Sequence, residues 1–200
     1  MQLTEFTQKI NDQGWALWPE FCSASEVLEL QSLFASQAFV PAQVGQGDSL
    51  KRRPEIRGDE TFWLDPHALP PVMVPLIQKV DELRLQLNRR LFLGLGEWEA
   101  HLARYAPGTF YKKHVDRHAG TARRLFSLIL YLNPEWKKEE GGDLVLYNKS
   151  NEELSRVLPQ GGTLVGFLSE DFPHEVLVAK RERRSLTGWF LIGDTHVPSL

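Results

Sequence analysis

From Trp98 onward the chain breaks into short apolar runs separated by turn residues, and this half limits the possible folds most. The strand-like segments are Trp98 to Tyr105, Leu125 to Leu132, Asp143 to Tyr147, Thr163 to Phe167 and Arg184 to Ile192, with a weaker one at Glu175 to Ala179. Pro107-Gly108, Asn133-Pro134, Gly141-Gly142 and Gly161-Gly162 punctuate them as turns. Six or more short strands joined in this way predict an antiparallel sandwich or barrel such as a jelly roll. The first 95 or so residues read as mainly helical. Ser23-Ala24-Ser25-Glu26 has the pattern of a capping box, and Val27, Leu30, Leu33 and Phe34 follow at helical spacing. A second helix is expected from near Pro75, with Leu76, Val80, Leu83, Leu87 and Leu91 on one face and Gly94 as its stop. Helices packed on one outer sheet face give a mainly β, α+β arrangement. At 200 residues a single domain, 1–200, is expected, with helical support over 1–95 and the jelly-roll core over 96–194.

Between the predicted helices lies a polar stretch, residues 39–60, with Gly45, Gly47, Gly58 and the cations Lys51, Arg52, Arg53 and Arg57. A loop of that length inside a compact domain is usually functional or mobile, although loops also lie solvated on surfaces. Lys51-Arg52-Arg53 reads as a solvated run with a role in holding an acidic protein partner. The net charge of −3 and a pI of about 6.1 give no field that would attract nucleic acid or an anionic membrane. No apolar run approaches the roughly 20 residues of a membrane span. The start lacks a basic region followed by an apolar one, so a cytoplasmic, monomeric protein is expected. A lone Cys22 excludes an internal disulfide and any multi-cysteine zinc site.

His114-Val115-Asp116 is the most informative tripeptide. In an extended segment residues i and i+2 project to the same side, so an imidazole and a carboxylate can converge. His174, at the entry of a predicted strand, is the best third ligand. Two histidines and one carboxylate on one face leave coordination positions open, the facial triad of non-haem Fe(II) oxygenases. His-x-Asp alone is common by chance. The other histidines take bland readings: His67 and His196 in loops, His101 in a strand, and His118 four after His114 but not in a His-Glu-x-x-His helix. Nine residues past His174, Arg183 opens a run in which period-two alternation puts Arg183, Ser185, Thr187 and Trp189 on one face. A guanidinium there offers a rigid fork for a carboxylate.

The order His114-x-Asp116, His174, Arg183 resembles the Fe(II)- and 2-oxoglutarate-dependent dioxygenases, and most of all their prolyl hydroxylase branch, which includes oxygen-sensing enzymes. The resemblance runs from about Ile56 to Phe190, some two thirds of the chain. It rests on Ile56-Arg57-Gly58-Asp59 with Trp63, on Ala103-Arg104-Tyr105, and on Tyr111 to Asp116. Leu130-Tyr131-Leu132-Asn133, Trp136, Gly141-Gly142, His174-Glu175-Val176 and Arg183 to Phe190 complete it. It implies a double-stranded β-helix, or jelly roll, with iron held by His114, Asp116 and His174. It also implies that Arg183 pairs with the distal carboxylate of 2-oxoglutarate, that Tyr131 donates a hydrogen bond to it, that Thr187 assists and that Tyr105 lines the same pocket. Trp189, Tyr111, Arg124, Arg57 and Asp59 match positions near the substrate, and Trp63 would face it with Trp189. The adjacent pairs Arg123-Arg124 and Arg183-Arg184 leave each choice open to its neighbour.

The implied reaction hydroxylates an unactivated C–H bond, foremost a prolyl residue of a protein such as a transcription or translation factor. It consumes O2 and 2-oxoglutarate, releases succinate and carbon dioxide, and takes ascorbate as reductant. The stretch 39–64 would close over substrate. Alternatives are the same chemistry on another protein side chain or a small molecule, and a jelly-roll module without catalysis. Asp116 argues against a halogenase, and the acidic pI against nucleic-acid repair.

Overall fold

The computed structural model describes residues 2–45, 50–117 and 121–193. Helices α1 (Leu3–Gln13), α2 (Ala24–Gln31), α3 (Leu33–Ser36) and α4 (Val74–Leu91) all precede the jelly roll. The strands are β1 (Trp15–Trp18), β2 (Val40–Pro41), β3 (Asp59–Trp63), β4 (Leu95–Tyr105), β5 (Tyr111–His114), β6 (Arg124–Tyr131), β7 (Leu144–Tyr147), β8 (Glu153–Val157), β9 (Leu164–Leu168), β10 (His174–Val176) and β11 (Arg183–Ile192). They form a seven-stranded sheet in the order β1-β9-β6-β11-β4-β3-β2 and a four-stranded sheet in the order β5-β10-β7-β8. All recorded pairings are antiparallel, as the turn-punctuated pattern predicts.

Alternation along the central strands sorts the side chains into two cores. Leu102 of β4, Phe126, Leu128 and Leu130 of β6, and Leu186 and Phe190 of β11 face the helices. There they meet Phe6, Ile10, Leu30, Leu76, Leu83 and Leu87. Each such buried side chain contributes roughly 1.5–3 kcal/mol of transfer free energy. The opposite face, with Tyr105, Ile129, Tyr131, Val165 and Phe167, packs on Leu144, Leu146 and Val176 of the smaller sheet. The space between the sheets is therefore where the inward-facing polar residues gather.

The capping box is present: the Ser23 hydroxyl accepts from the Glu26 amide, and the Glu26 carboxylate accepts from the Ser23 amide. The second helix starts one residue before Pro75 but ends at Leu91, three before Gly94, because Phe92 itself takes the left-handed cap (φ 52°). Three expectations need correction. The helical first part also holds strand β1, which extends the large sheet. The stretch 39–64 is not simply a loop, since β2 and β3 add two rungs to the same sheet beside β4. The segment before His114 and the segment Glu153–Val157 are strands that the sequence reading left unassigned. Among the described residues, no helix is long and apolar enough to cross a membrane.

Candidate active site

Strands β5 and β10 pair so that His114 and His174 stand opposite each other, their ring centroids 4.2 Å apart. In each, Nδ1 sits against the backbone carbonyl two residues earlier, Lys112 at 2.8 Å and Phe172 at 3.0 Å. Those contacts hold the proton on Nδ1 and leave the Nε2 lone pairs directed at Asp116, the arrangement of metal-ligating histidines. Both Nε2 atoms lie 3.7 Å from an Asp116 carboxylate oxygen. The three ligand atoms lie within 4.8 Å of one another. Asp116 is two residues past the last strand position, so the i, i+2 argument holds only at the strand's end. The carboxylate is instead steadied by Ser127, whose hydroxyl donates to Oδ2 at 2.7 Å and contacts Ser169 at 2.8 Å.

The electrostatics suit a cation. Burial pushes the His114 imidazole down to about 3, helped by the facing His174, so it is neutral and able to ligate. Burial opposes ionisation of Asp116, but His174, His114 and the Ser127 hydroxyl outweigh it and bring the carboxyl down to about 2.

Deeper in the same cavity lies Arg183, a guanidinium only 1% exposed. Its Nε donates to the Gly142 carbonyl at 2.9 Å, and Nη1 reaches the Ser185 hydroxyl at 3.4 Å. The Tyr105 and Tyr131 rings lie 4.9 and 5.0 Å from it. Among the described residues no carboxylate pairs with it, and a buried cation without a counter-charge is costly. The Tyr131 hydroxyl is buried with no hydrogen-bond partner among the described residues. Burial pushes this phenol up to about 12 against the pull of Arg183, so it remains a donor. The expected parity of β11 holds: Arg183, Ser185, Thr187 and Trp189 all line the cavity, whereas Arg184 lies over Phe34 on the helix side. Asn133 braces this start of β11, accepting from the Arg184 amide at 2.6 Å.

The remaining wall of this cavity, about 850 Å³ in volume, includes Trp63, His101, Tyr111, Arg57 and Arg124. Arg124 stacks on Trp189 (3.6 Å) and pairs with Glu99, which decides between it and Arg123 as the lining residue. Arg57 stacks on Tyr111 at 4.3 Å. Asp59 departs from expectation. It does not line the cavity; both carboxylate oxygens accept from Arg57, at 2.7 and 2.5 Å, so it fixes Arg57 rather than facing a ligand. Sequence reasoning missed His101, which is 5% exposed and lies between Trp63 (4.8 Å) and Trp189 (5.4 Å). Its Nδ1 has no hydrogen-bond partner among the described residues. Its inward parity on β4, shared with Tyr105, was the available signal. Ser127 was missed too, although it shares the inward face of β6 with Tyr131. His67 is exposed in a turn; His118 and His196 lie outside the described residues.

The donor set fits Fe(II), and the unpaired guanidinium beside an unpartnered hydroxyl fits a dicarboxylate. The profile of the 2OG-Fe(II) oxygenase superfamily matches residues 100–191. A hypoxia-inducible factor prolyl hydroxylase of Caenorhabditis elegans is 29% identical over 201 residues, covering 92% of this chain but only 27% of its own length. Among solved structures, a Pseudomonas putida prolyl-4-hydroxylase is 38% identical with a TM-score of 0.84, over 95% of this chain and 98% of that one. A Trichoplax adhaerens prolyl hydroxylase, in complex with a peptide of the hypoxia-inducible factor oxygen degradation domain, is 26% identical with a TM-score of 0.82, over 95% and 89%. With its two histidines and aspartate gathered at one point and a 38% identical relative along nearly its whole length, the chain belongs to the 2OG-Fe(II) oxygenase superfamily.

Proposed function

We propose that this protein uses Fe(II), 2-oxoglutarate and O2 to hydroxylate a prolyl residue of a protein substrate. The observation that carries the reading is the pairing, in one cavity, of a His-Asp-His cluster with a buried guanidinium that has no carboxylate of its own. His114, Asp116 and His174 would hold the metal on one face and leave its other positions to ligands. Arg183 would take the distal carboxylate of 2-oxoglutarate, with the Tyr131 hydroxyl donating to it and Thr187 and Tyr105 completing the wall. When bound, the metal and cosubstrate supply the oxidising power that no side chain has.

The chain's own residues then do three things. Arg183 offsets the desolvation of the incoming carboxylate. The buried side chains Ile129, Leu144 and Val176 in the cavity wall limit water at the reacting centre. Trp63, exposed at the cavity and backed by the buried Trp189 at 6.1 Å between ring centroids, offers a flat apolar face on which a prolyl ring can lie. The named activities of the Pseudomonas and Trichoplax relatives, and the peptide bound to the latter, support a polypeptide substrate. A cytoplasmic monomer with ascorbate as reductant is part of the proposal. Purified protein with Fe(II), ascorbate and 2-oxoglutarate is expected to form succinate, slowly without substrate. A prolyl peptide substrate is expected to gain the mass of one oxygen atom. Arg183→Ala should keep the metal and lose 2-oxoglutarate binding; the same defect from Arg184→Ala instead, or no binding by the parent protein, refutes the assignment.

A further inference from the structure

We propose that His101 is a specificity-determining residue that hydrogen-bonds the peptide group following the target prolyl ring; this rests on the reading of a prolyl hydroxylase above. The register of the large sheet sets its place. Trp63, His101, Thr187 and Ile129 lie opposite one another on β3, β4, β11 and β6, one row across the inner face. Tyr105 and Arg183 form another row, four residues away along β4 and β11. At roughly 3.3 Å per residue that is about 13 Å, longer than a five-carbon diacid held by Arg183. The row on the other side of His101 contains Trp189 and Ser127, and Ser127 holds the Asp116 carboxylate of the metal cluster. His101 therefore stands at the level of the metal cluster, beside the exposed Trp63 rather than beside the cosubstrate.

Its chemistry is costly for a wall residue. The ring is 5% exposed, Nδ1 is sealed without a partner, and no described residue hydrogen-bonds Nε2. A methionine or leucine could fill the space between the two tryptophans and leave no polar atom unpaired. Burial, helped by Arg57, pushes the imidazole down to about 3, so it is neutral. A neutral imidazole is no counter-charge for a carboxylate. It offers one donor and one acceptor.

The peptide groups of a prolyl substrate are unequal in this respect. The bond before the ring ends in the ring nitrogen, which has no hydrogen to donate. The bond after it carries both an N–H and a carbonyl, so either tautomer of the imidazole finds its complement there. With the prolyl ring lying on Trp63, whose centroid is 4.8 Å from that of His101, this is the nearest peptide group that offers both.

The test uses the Mn(II)-loaded full chain with 2-oxoglutarate. Two labelled synthetic peptides share their flanks and a central Ala-Pro; alanine follows the proline in one, and lactate in the other. The lactate puts an ester in place of the peptide bond after the ring, which removes its N–H and weakens its carbonyl as an acceptor. Fluorescence anisotropy is expected to show the parent protein binding the amide about tenfold tighter than the ester, the size of one hydrogen bond. In H101M that difference should vanish through loss of affinity for the amide peptide, and H101Q should restore part of it. Thermal melts show whether each variant is folded. Equal affinity of the parent protein for the two peptides, or a difference unmoved by H101M, overturns the proposal. So does an equal fall in 2-oxoglutarate affinity in H101M, which would place His101 in the cosubstrate pocket. With Fe(II) and O2 in place of Mn(II), the two readings separate. Discrimination that depends on His101 without oxygen gain leaves the hydrogen bond standing and removes prolyl hydroxylation. Oxygen gain without such discrimination does the reverse, and no binding of either peptide removes both.

Discussion

Replacing Tyr131 with phenylalanine removes one oxygen and leaves the ring that packs in the inter-sheet core. That hydroxyl is buried and has no hydrogen-bond partner among the described residues. A buried polar group without a partner costs about 1–3 kcal/mol, so its removal should leave stability unchanged or raise it by about 1 kcal/mol. For a chain of this size that is a rise in Tm of about 2–4 °C. Cosubstrate binding should move the other way. A hydrogen bond to a charged carboxylate is worth about 1.5–3 kcal/mol, so 2-oxoglutarate affinity should fall roughly ten- to a hundredfold. Thermal melts of the metal-free protein and calorimetric titration of the Mn(II) form with 2-oxoglutarate give the two quantities. The opposed signs make the case. A lower Tm with unchanged affinity would show the hydroxyl to be structural and refute the reasoning.

Three further outcomes are expected. Ser127→Ala takes away the hydroxyl that steadies Asp116, and metal affinity, read by Mn(II) titration, should fall roughly tenfold or more while the fold is kept. Gly142 has φ +73°, and a Cβ there would stand 3.2 Å from Arg183 Cδ and 3.1 Å from Ala179 Cβ. Gly142→Ala should therefore cost about 1–3 kcal/mol in denaturant unfolding and weaken 2-oxoglutarate binding by shifting Arg183. Burial, helped by Arg57, pushes His101 down to about 3, below its unfolded value of 6.5. The unfolded chain thus binds more protons between those values, so stability is full above about 6.5 and is lost as pH falls. His101→Met should remove about 2 kcal/mol of the loss seen between pH 7 and pH 5 in denaturant titrations. An unchanged slope would show that His101 titrates in the folded protein as it does in the unfolded chain.

What the sequence disclosed followed from strict alternation. In strand β11 Ser185 and Thr187 alternate with Leu186 and Gly188, so the inward face is readable from the sequence even though Arg184 is polar and out of phase. The metal cluster was legible because His114, Asp116 and His174 flank strands whose turns are marked by glycine and proline. Strands β3 and β5 were obscured by charge. Asp59 is buried only because Arg57 neutralises it, and Lys112-Lys113 breaks the alternation of a strand that forms through its pairing with β10. Ser127 and His101 could be placed on the inner face by parity. Their roles arise from neighbours on other strands, Asp116 for one and the two tryptophans for the other, which a one-dimensional reading does not bring together.

The solitary guanidinium of Arg183 also bears on how long the protein survives in a cell. A positive charge sealed between two sheets is costly, and on the proposed function a dicarboxylate that neutralised it would bind the native form alone. At a hundredfold excess over its Kd such a ligand adds about 2.7 kcal/mol to folding. Turnover of the chain by proteases would then follow the supply of a central metabolite, with abundance falling when the keto acid runs short.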